Sequence, residues 1–438
     1  MKFKKIISAA LCITLTIPML TSCGKAVPST YTDSSGKNLK DSDKSVSAFL
    51  TLAKEQTLNI IADIYDCSEE KAERELSHDG FTIKTTLDSN INSSVFSALE
   101  SVADCDRAAA LTDNNGAVLA LYSSAGQKNF ALSPTRPCSA LKPLSVYAPA
   151  IESGKAMWSS VQLDDAVKQV IAESGGVYDW PTNANNRYSR ELMGLPQAIR
   201  ESCNTVAVKW LLELGVGESM SFLSEKLHIP LDRELQMSAL SGNDEILGNL
   251  ALGYLLDGVS VLDMAGYYQI FAKSGVYIKP FTVLSITDKT GKEIYSAKIT
   301  SDKVLSEESA FIMNRLLKTP LQRGGTATDA EVKGVDICGK TGTSSDGEDN
   351  WFVGITPDYS CAVWHNSIVG DRNKNISPEL FAEIIGGLKI KKQAYPECGS
   401  VVQKAYCAES GMLLSSNCRR MEIGYFSEGS VPQKCDKH

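Results

Sequence analysis

The stretch Pro137-Cys138-Ser139-Ala140-Leu141-Lys142-Pro143 decides how the rest of this chain is read. It sets a hydroxyl and an amine three residues apart, and on a helix that interval puts both side chains on one face, within reach of a shared proton. Serine attacks a carbonyl only when a neighbour takes its proton, and a lysine does so once desolvation or a second cation lowers its pKa. The flanking prolines suit a helix start, where a missing amide donor costs least and the positive end of the dipole faces a developing oxyanion. Ser139 and Lys142 are therefore the candidate nucleophile and base of a serine acyl-transferase. In isolation the pair would read as a cap and a solvated lysine. Ser22-Cys23-Gly24-Lys25 and Ser34-Ser35-Gly36-Lys37 repeat the spacing in segments whose composition builds no folded site.

Two further motifs change that balance. Lys340-Thr341-Gly342-Thr343 follows Gly339 where a strand is predicted to end and the polar loop from Ser344 to Asn350 begins. A lysine beside two threonines suits a substrate carboxylate, and the glycines let a peptide backbone approach closely. Ser202-Cys203-Asn204, predicted on a helix after Ala198-Ile199-Arg200-Glu201, offers a hydroxyl to relay protons and an amide to hold a peptide bond. Each triplet has a chance copy: Lys289-Thr290-Gly291 lies in a predicted hairpin turn, and Ser241-Gly242-Asn243 repeats the second motif. Order along the chain and flanking sequence favour the copies at 202–204 and 340–342.

At 438 residues and 43% hydrophobic content the chain can bury a core of one large or two smaller domains. Its net charge of -8 supplies no basic footprint for nucleic acid. Met1 to Leu20 combine three lysines with a short apolar run, and Leu20-Thr21-Ser22 precede Cys23, the layout of a secretory signal. The run is short for a membrane span. A cysteine at that place resembles the bacterial lipoprotein signal, which implies lipidation at Cys23. Of the 12 cysteines, Cys398, Cys407, Cys418 and Cys435 cluster near the C-terminus and read as a disulfide-tied tail. Zinc with His438 is the rival; without a Cys-x-x-Cys unit, no metal is expected. No cofactor is expected either.

Periodicity predicts helices from Phe49 to Ile64, from Ile91 to Val102, from Leu192 to Leu214 and from Leu247 to Ala272, with residues 155–270 mainly helical. Strands are predicted at 81–88, 107–112 and 117–122, 281–287 and 293–298, and around 336–340, 351–355 and 361–364, followed by a helix at 378–388. The fold class is α+β, an antiparallel β-sheet flanked by helices with an all-helical subdomain. The expected organisation is a signal peptide (1–22), a flexible tether (23–47), a helical linker segment (48–100), the main domain (101–392) and a Cys-containing tail (393–438).

In this order, Ser-x-x-Lys, Ser-x-Asn and Lys-Thr-Gly resemble the motif set of penicillin-binding proteins and serine β-lactamases. The surroundings, from Arg136 to Leu144, Gly339 to Thr343, Asn350 to Gly354 and Thr356 to Asp358, resemble the transpeptidase domain of class A penicillin-binding proteins. The likeness begins near residue 80 and runs to the tail. It implies that Ser139 is acylated by a D-Ala-D-Ala stem peptide of peptidoglycan, with Lys142 as base and the backbone amides of Ser139 and Thr343 as oxyanion donors. It further implies that Ser202 relays a proton, Asn204 holds the donor peptide, and Lys340, Thr341, Gly342 and Thr343 receive the terminal carboxylate. β-Lactam antibiotics would acylate the same serine. The implied location is the outer face of the cytoplasmic membrane, lipid-anchored, with a cell-wall synthesis complex as partner. Members of that class carry a glycosyltransferase domain ahead of this region, for which the roughly 55 residues after Cys23 are too few. Cys138 stands where the family usually has Gly; it, Cys203 and Cys338 read as small residues filling tight space rather than redox sensors. The alternatives are a D,D-carboxypeptidase or β-lactamase, or a non-catalytic sensor or scaffold, against which the intact motifs argue.

Overall fold

A computed structural model describes residues 26–437 except 125, 127, 172–175, 242, 369–373 and 391–392. The signal peptide and Cys23 lie outside the described residues.

The centre is a five-stranded antiparallel sheet of β1 (Arg107–Asp113), β2 (Val118–Ser123), β3 (Cys338–Thr343), β4 (Asn350–Ile355) and β5 (Tyr359–His365), in the order β3-β4-β5-β1-β2. The two-residue pleat divides their side chains between two apolar layers. Ala108, Ala110, Trp351, Val353, Ile355, Ala362 and Trp364 join one core, which also contains Met264 and Ala265 of helix α4 (Val261–Tyr268). Ala109, Leu111, Phe352, Cys361 and Val363 join the other, with Val95 and Leu99 of α2 (Ser89–Glu100) and Phe381 and Ile384 of α6 (Ser377–Gly386). Both faces are covered, which is why these strands read as continuous apolar runs rather than as alternating ones.

A second sheet packs beside it. Thr82–Thr85 lies between Val283–Thr287, antiparallel, and Thr30–Thr32, parallel. The last pairing corrects the expected tether: from Thr30 onward the chain is built into the fold. Tyr31 and Val46 are buried, and the Asp33 carboxylate accepts hydrogen bonds from Ser35 N, Lys37 N and Ser89 Oγ. The strand partner Thr82–Thr85 and Ser89 lie some 50 residues away, so local composition carried no trace of them. Helix α1 (Ser47–Tyr65) follows, with Phe49, Ala53 and Ile61 fully buried.

Between β2 and α4 the chain forms the helical subdomain, including α3 (Asn204–Leu214). It also makes two small antiparallel strand pairs that helical periodicity did not foresee, Val161–Leu163 with Leu192–Gly194 and, between them in the chain, the hairpin of Lys168–Ile171 with Val177–Trp180. The single helix expected over 192–214 is a strand, a short helix (Leu195–Arg200) and α3, because Ser202 adopts a left-handed φ of 57° that no helix propagates through. Helix α5 (Glu307–Leu316) supports a C-terminal hairpin, Val401–Cys407 with Met421–Ser427. Among the described residues no helix is long and apolar enough to cross a membrane.

Candidate active site

Ser139 sits in a 3₁₀ turn, Cys138–Ala140, that runs into a π-helical turn, Pro143–Tyr147, and the helix Ala148–Glu152. The sequence predicted an ordinary helix. Pro143 has no N–H to bond the carbonyl of Ser139, so the following turn widens. The turn is wedged between two elements. Cys138 N donates to Gly253 O at 2.9 Å, and Gly253 lies so close that a Cβ there would fall 1.9 Å from the Cys138 carbonyl oxygen. On the other side, a Cβ on Gly342 of β3 would fall 2.5 Å from Pro137 O and 3.0 Å from Ala140 N. Gly342 therefore lets β3 run directly against the nucleophile turn. Cys138 itself has a φ of 51°, in the left-handed region that favours glycine, which is the physical reason a glycine is expected there and makes the cysteine a strained occupant.

The three motifs meet through Ser202. Lys142 is fully buried, and its Nζ donates to Ser202 O at 2.9 Å and to Asn204 Oδ1 at 2.7 Å. Lys340, also fully buried, donates from Nζ to Ser202 Oγ at 2.7 Å and to Thr341 O at 3.1 Å. One residue thus holds both ammonium groups, with its carbonyl for one and its hydroxyl for the other. The sequence placed Ser202 on a helix. It lies instead between Leu195–Arg200 and α3, in the left-handed conformation that turns its carbonyl and hydroxyl into the cleft. The Ser139 hydroxyl has no hydrogen-bond partner among the described residues, and the residue is half-exposed at the cleft.

Burial pushes the Lys142 ammonium down to about 8. Burial, followed by the charge of Lys142, holds Lys340 well below the ordinary lysine range. The like-charge effect expected on Lys142 thus falls on Lys340, while desolvation is what lowers Lys142.

β3 is the edge strand, and its backbone alternates between β4 and the cleft. Gly339 N donates away from the sheet, to Leu317 O, so by the two-residue alternation Thr341 and Thr343 also turn their amides outward. Thr343 is exposed; the Thr341 hydroxyl donates to Thr326 Oγ1 at 2.7 Å. Of the site residues named from the sequence, Lys142, Ser202, Asn204 and Lys340 are joined by direct hydrogen bonds, Gly342 packs against the turn that carries Ser139, and Thr341 and Thr343 flank Gly342 on β3. The chance copy at Lys289 sits instead in an exposed turn of the second sheet, paired with Asp79.

Several supporting residues escaped sequence reasoning. Asn183 Oδ1 accepts from Asn204 N at 2.9 Å and Thr205 N at 3.4 Å, capping α3 from a distant loop because Cys203, at the N-cap, makes no side-chain cap. Asp164 holds Asn183 Nδ2 at 2.8 Å and the Thr205 hydroxyl at 2.6 Å. Burial alone would raise the Asp164 pKa; the bonds from Thr205, Ser189 and Asn183 outweigh it and hold the carboxyl below its usual range. Asn204 Nδ2 donates to Thr182 O at 2.7 Å, fixing its oxygen toward Lys142. At the cleft mouth Arg136 bridges Asp349 (2.7 Å) and Asp346 (3.0 Å), tying the 344–350 loop to the nucleophile turn. The acidic residues after Lys340-Thr341-Gly342-Thr343 were the only sequence signal for that clamp.

Residues 108–386 match the family described as "Penicillin binding protein transpeptidase domain". Penicillin-binding protein 1A of Clostridium tetani is 33% identical over 324 residues, covering 69% of this chain and 40% of that protein. Penicillin-binding protein 1F of Bacillus subtilis is 33% identical over 331 residues, 71% of this chain and 42% of that protein. The chain thus matches about two fifths of the length of these curated relatives. In fold it is similar to penicillin-binding protein 1A from Haemophilus influenzae, with a TM-score of 0.71 and 17% identity over 88% of this chain and 77% of that one. The PonA1 protein from Mycobacterium tuberculosis in complex with penicillin V gives a TM-score of 0.61 and 20% identity over 79% and 95%. Both the matched segment and the motifs converging at its cleft lead to one conclusion: the chain belongs to the penicillin-binding protein transpeptidase family.

Proposed function

We propose that this protein is a penicillin-binding D,D-transpeptidase that cross-links peptidoglycan stem peptides through an acyl-enzyme on Ser139. The observation that carries the reading is the double engagement of Ser202 by Lys142 and Lys340, which brings base, relay and carboxylate receptor to one point. The stem peptide lies along the free edge of β3 as an added strand. Its terminal carboxylate meets Lys340 and the hydroxyl of Thr343, and the Thr341 hydroxyl turns from Thr326 to join them. A carboxylate there raises the proton affinity of Lys340, and a charged Lys340 drives Lys142 toward its neutral, basic form. Substrate binding in this way arms the base.

Ser139 then attacks the carbonyl between the last two D-alanines and yields its proton to Lys142. The tetrahedral oxyanion is held by the amides of Ser139 and Thr343. As the C–N bond breaks, Ser202 passes its proton to the departing D-alanine and recovers the one held by Lys142. An amine of a second stem peptide then attacks the ester and gives its proton to Lys142, and the Ser139 alkoxide leaves by taking that proton back. Asn204 holds the donor peptide with the N–H not committed to Thr182. Lipidation of Cys23 places the domain on the outer face of the cytoplasmic membrane, where a cell-wall synthesis complex supplies the strands. β-Lactams acylate Ser139 as substrate analogues.

The test is labelling of the full chain with a fluorescent penicillin, followed by incubation with purified stem peptides. The expected results are stable label on the unaltered chain, none on Ser139→Ala, and a cross-linked dimer as product. Label on Ser139→Ala refutes the nucleophile, and hydrolysed monomer as sole product makes the enzyme a carboxypeptidase.

A further inference from the structure

Away from the cleft, the C-terminal hairpin gathers three thiols from separate segments. Cys407 ends the first strand, Cys418 lies in the connection, and Cys435 follows the second strand by eight positions. Their Sγ atoms nevertheless all lie within 4.8 Å of one another. Cys407 and Cys435 are buried, Cys418 is half-buried, and all three are free thiols. Backbone pairing creates the convergence. Cys407 N donates to Met412 O (2.8 Å), Leu413 N to Gln433 O (2.9 Å) and Cys435 N to Leu413 O (2.8 Å), so the connection folds back between the hairpin and the tail. Polar donors are aimed at the sulfurs: Ser410 Oγ at Cys435 Sγ (3.2 Å) and Ser415 N at Cys418 Sγ (3.3 Å), with Ser415 Oγ 3.2 Å from the latter.

We propose that Cys407, Cys418 and Cys435 ligate a tetrahedral, thiophilic divalent cation of the zinc class, which fastens the C-terminal tail to the transpeptidase domain. The geometry favours an ion over a disulfide. Metal–sulfur bonds of about 2.3 Å in a tetrahedron place sulfurs about 3.8 Å apart, whereas a disulfide needs about 2.05 Å. Number matters as well, because a disulfide among three thiols leaves one without a partner. Cys398, the remaining cysteine of the tail, is not part of the cluster; it contacts Ser400 Oγ at 3.3 Å and lines a separate cavity with Phe271 and Tyr395. Hydroxyl and amide donors on the sulfurs stabilise the thiolate, the form that binds metal.

His438, the rival ligand offered by the sequence, lies outside the described residues, and the site rests on the three thiols alone. The cluster ties together the two strands' connection and the tail, and two of its thiols are buried, so the role of the ion is structural rather than catalytic. Each ligating thiol gives up its proton as the metal binds. The expectation of no metal rested on the missing Cys-x-x-Cys unit; here the donors are brought together by the folded-back connection. The effect on the fold is local and specific. That connection carries Gly411, whose carbonyl accepts from Ser159 Oγ, and the hairpin carries Tyr425, whose ring packs edge-on against Trp158 at 4.9 Å.

The full chain, purified in detergent under reducing conditions and stripped with chelator, is titrated with Zn²⁺ and with Co²⁺. One metal per chain is expected by elemental analysis, with a thiolate-to-cobalt charge-transfer band that Cys418→Ser and Cys435→Ser lose and Cys398→Ser keeps. The unaltered chain gives a second reading: three thiols protected from alkylation by zinc and exposed by chelator. Absence of stoichiometric uptake or of zinc protection overturns the proposal. So does a disulfide between any two of the three in protein isolated without reductant, or undiminished binding in both cluster variants. None of these readouts depends on Ser139 chemistry.

Discussion

Replacing Asn204 with alanine tests the electrostatics of the cleft. Lys142 has two acceptors for its buried ammonium, Ser202 O and Asn204 Oδ1, and the latter lies at 2.7 Å. A hydrogen bond to a charged group contributes about 1.5–3 kcal/mol, and one pKa unit corresponds to about 1.4 kcal/mol. Losing the Asn204 oxygen therefore disfavours the charged amine and lowers the Lys142 pKa by about one to two units from its present value near 8. Because the neutral amine is the base, the unaltered enzyme should acylate faster as pH rises toward about 8, roughly tenfold per unit below it, and level off above. In Asn204→Ala the plateau falls, through loss of the peptide-holding amide, while the midpoint moves to about pH 6–7. The assay is the second-order rate of fluorescent-penicillin labelling from pH 5 to 9.5. A midpoint that stays in place or rises refutes the assignment of Lys142 as the titrating base held by Asn204.

Gly342→Ala should abolish or cut acylation by about 10²-fold or more while the chain stays folded, since its Cβ would push β3 off the nucleophile turn, as labelling rate beside circular dichroism would show. Cys138→Gly empties a buried site yet relieves a left-handed residue, a strain of about 1–2 kcal/mol, so its stability should lie within about 1 kcal/mol of the parent; a loss of about 3 kcal/mol or more in urea denaturation, usual for an emptied core site, contradicts this. Lys142 is a base whose folded pKa, about 8, lies below its ordinary 10.5, so the unfolded chain binds more protons between those values and stability rises with pH across that window by about 3 kcal/mol. Urea midpoints of the parent and of Lys142→Met, compared from pH 7.5 to 10.5, should diverge by that amount, and parallel curves would count against the buried, depressed lysine.

The reading from sequence succeeded where the signal is local and physical. The hairpin of β1 and β2, joined through Asp113 to Gly116, was visible in its β-branched and apolar runs, and its turn is closed by Gly116 N on Asp113 O. The strand carrying Lys340 and the following apolar strand at 351–355 were equally plain. What failed was long-range. The 192–214 region kept a helical period through a break at Ser202 because the residues on either side face the same core, and a left-handed φ leaves no mark on periodicity. The segment at 30–46 read as tether because its order comes from Thr82–Thr85 and Ser89, and the Asp164–Asn183 support of α3 was invisible because neither residue sits near Asn204 in the chain.

By itself the sequence determined which chemical groups this protein possesses: a serine with a lysine three positions on, a hydroxyl–amide pair, a lysine beside threonines and glycines, and a cysteine-rich tail. These follow from residue type and spacing, which folding does not alter. The tertiary structure alone decided what those groups are to one another, since proton affinity depends on burial and on neighbours supplied by other segments. Ser202 became the shared partner of two buried lysines, desolvation rather than a like charge made Lys142 a base, and three scattered thiols became one cluster.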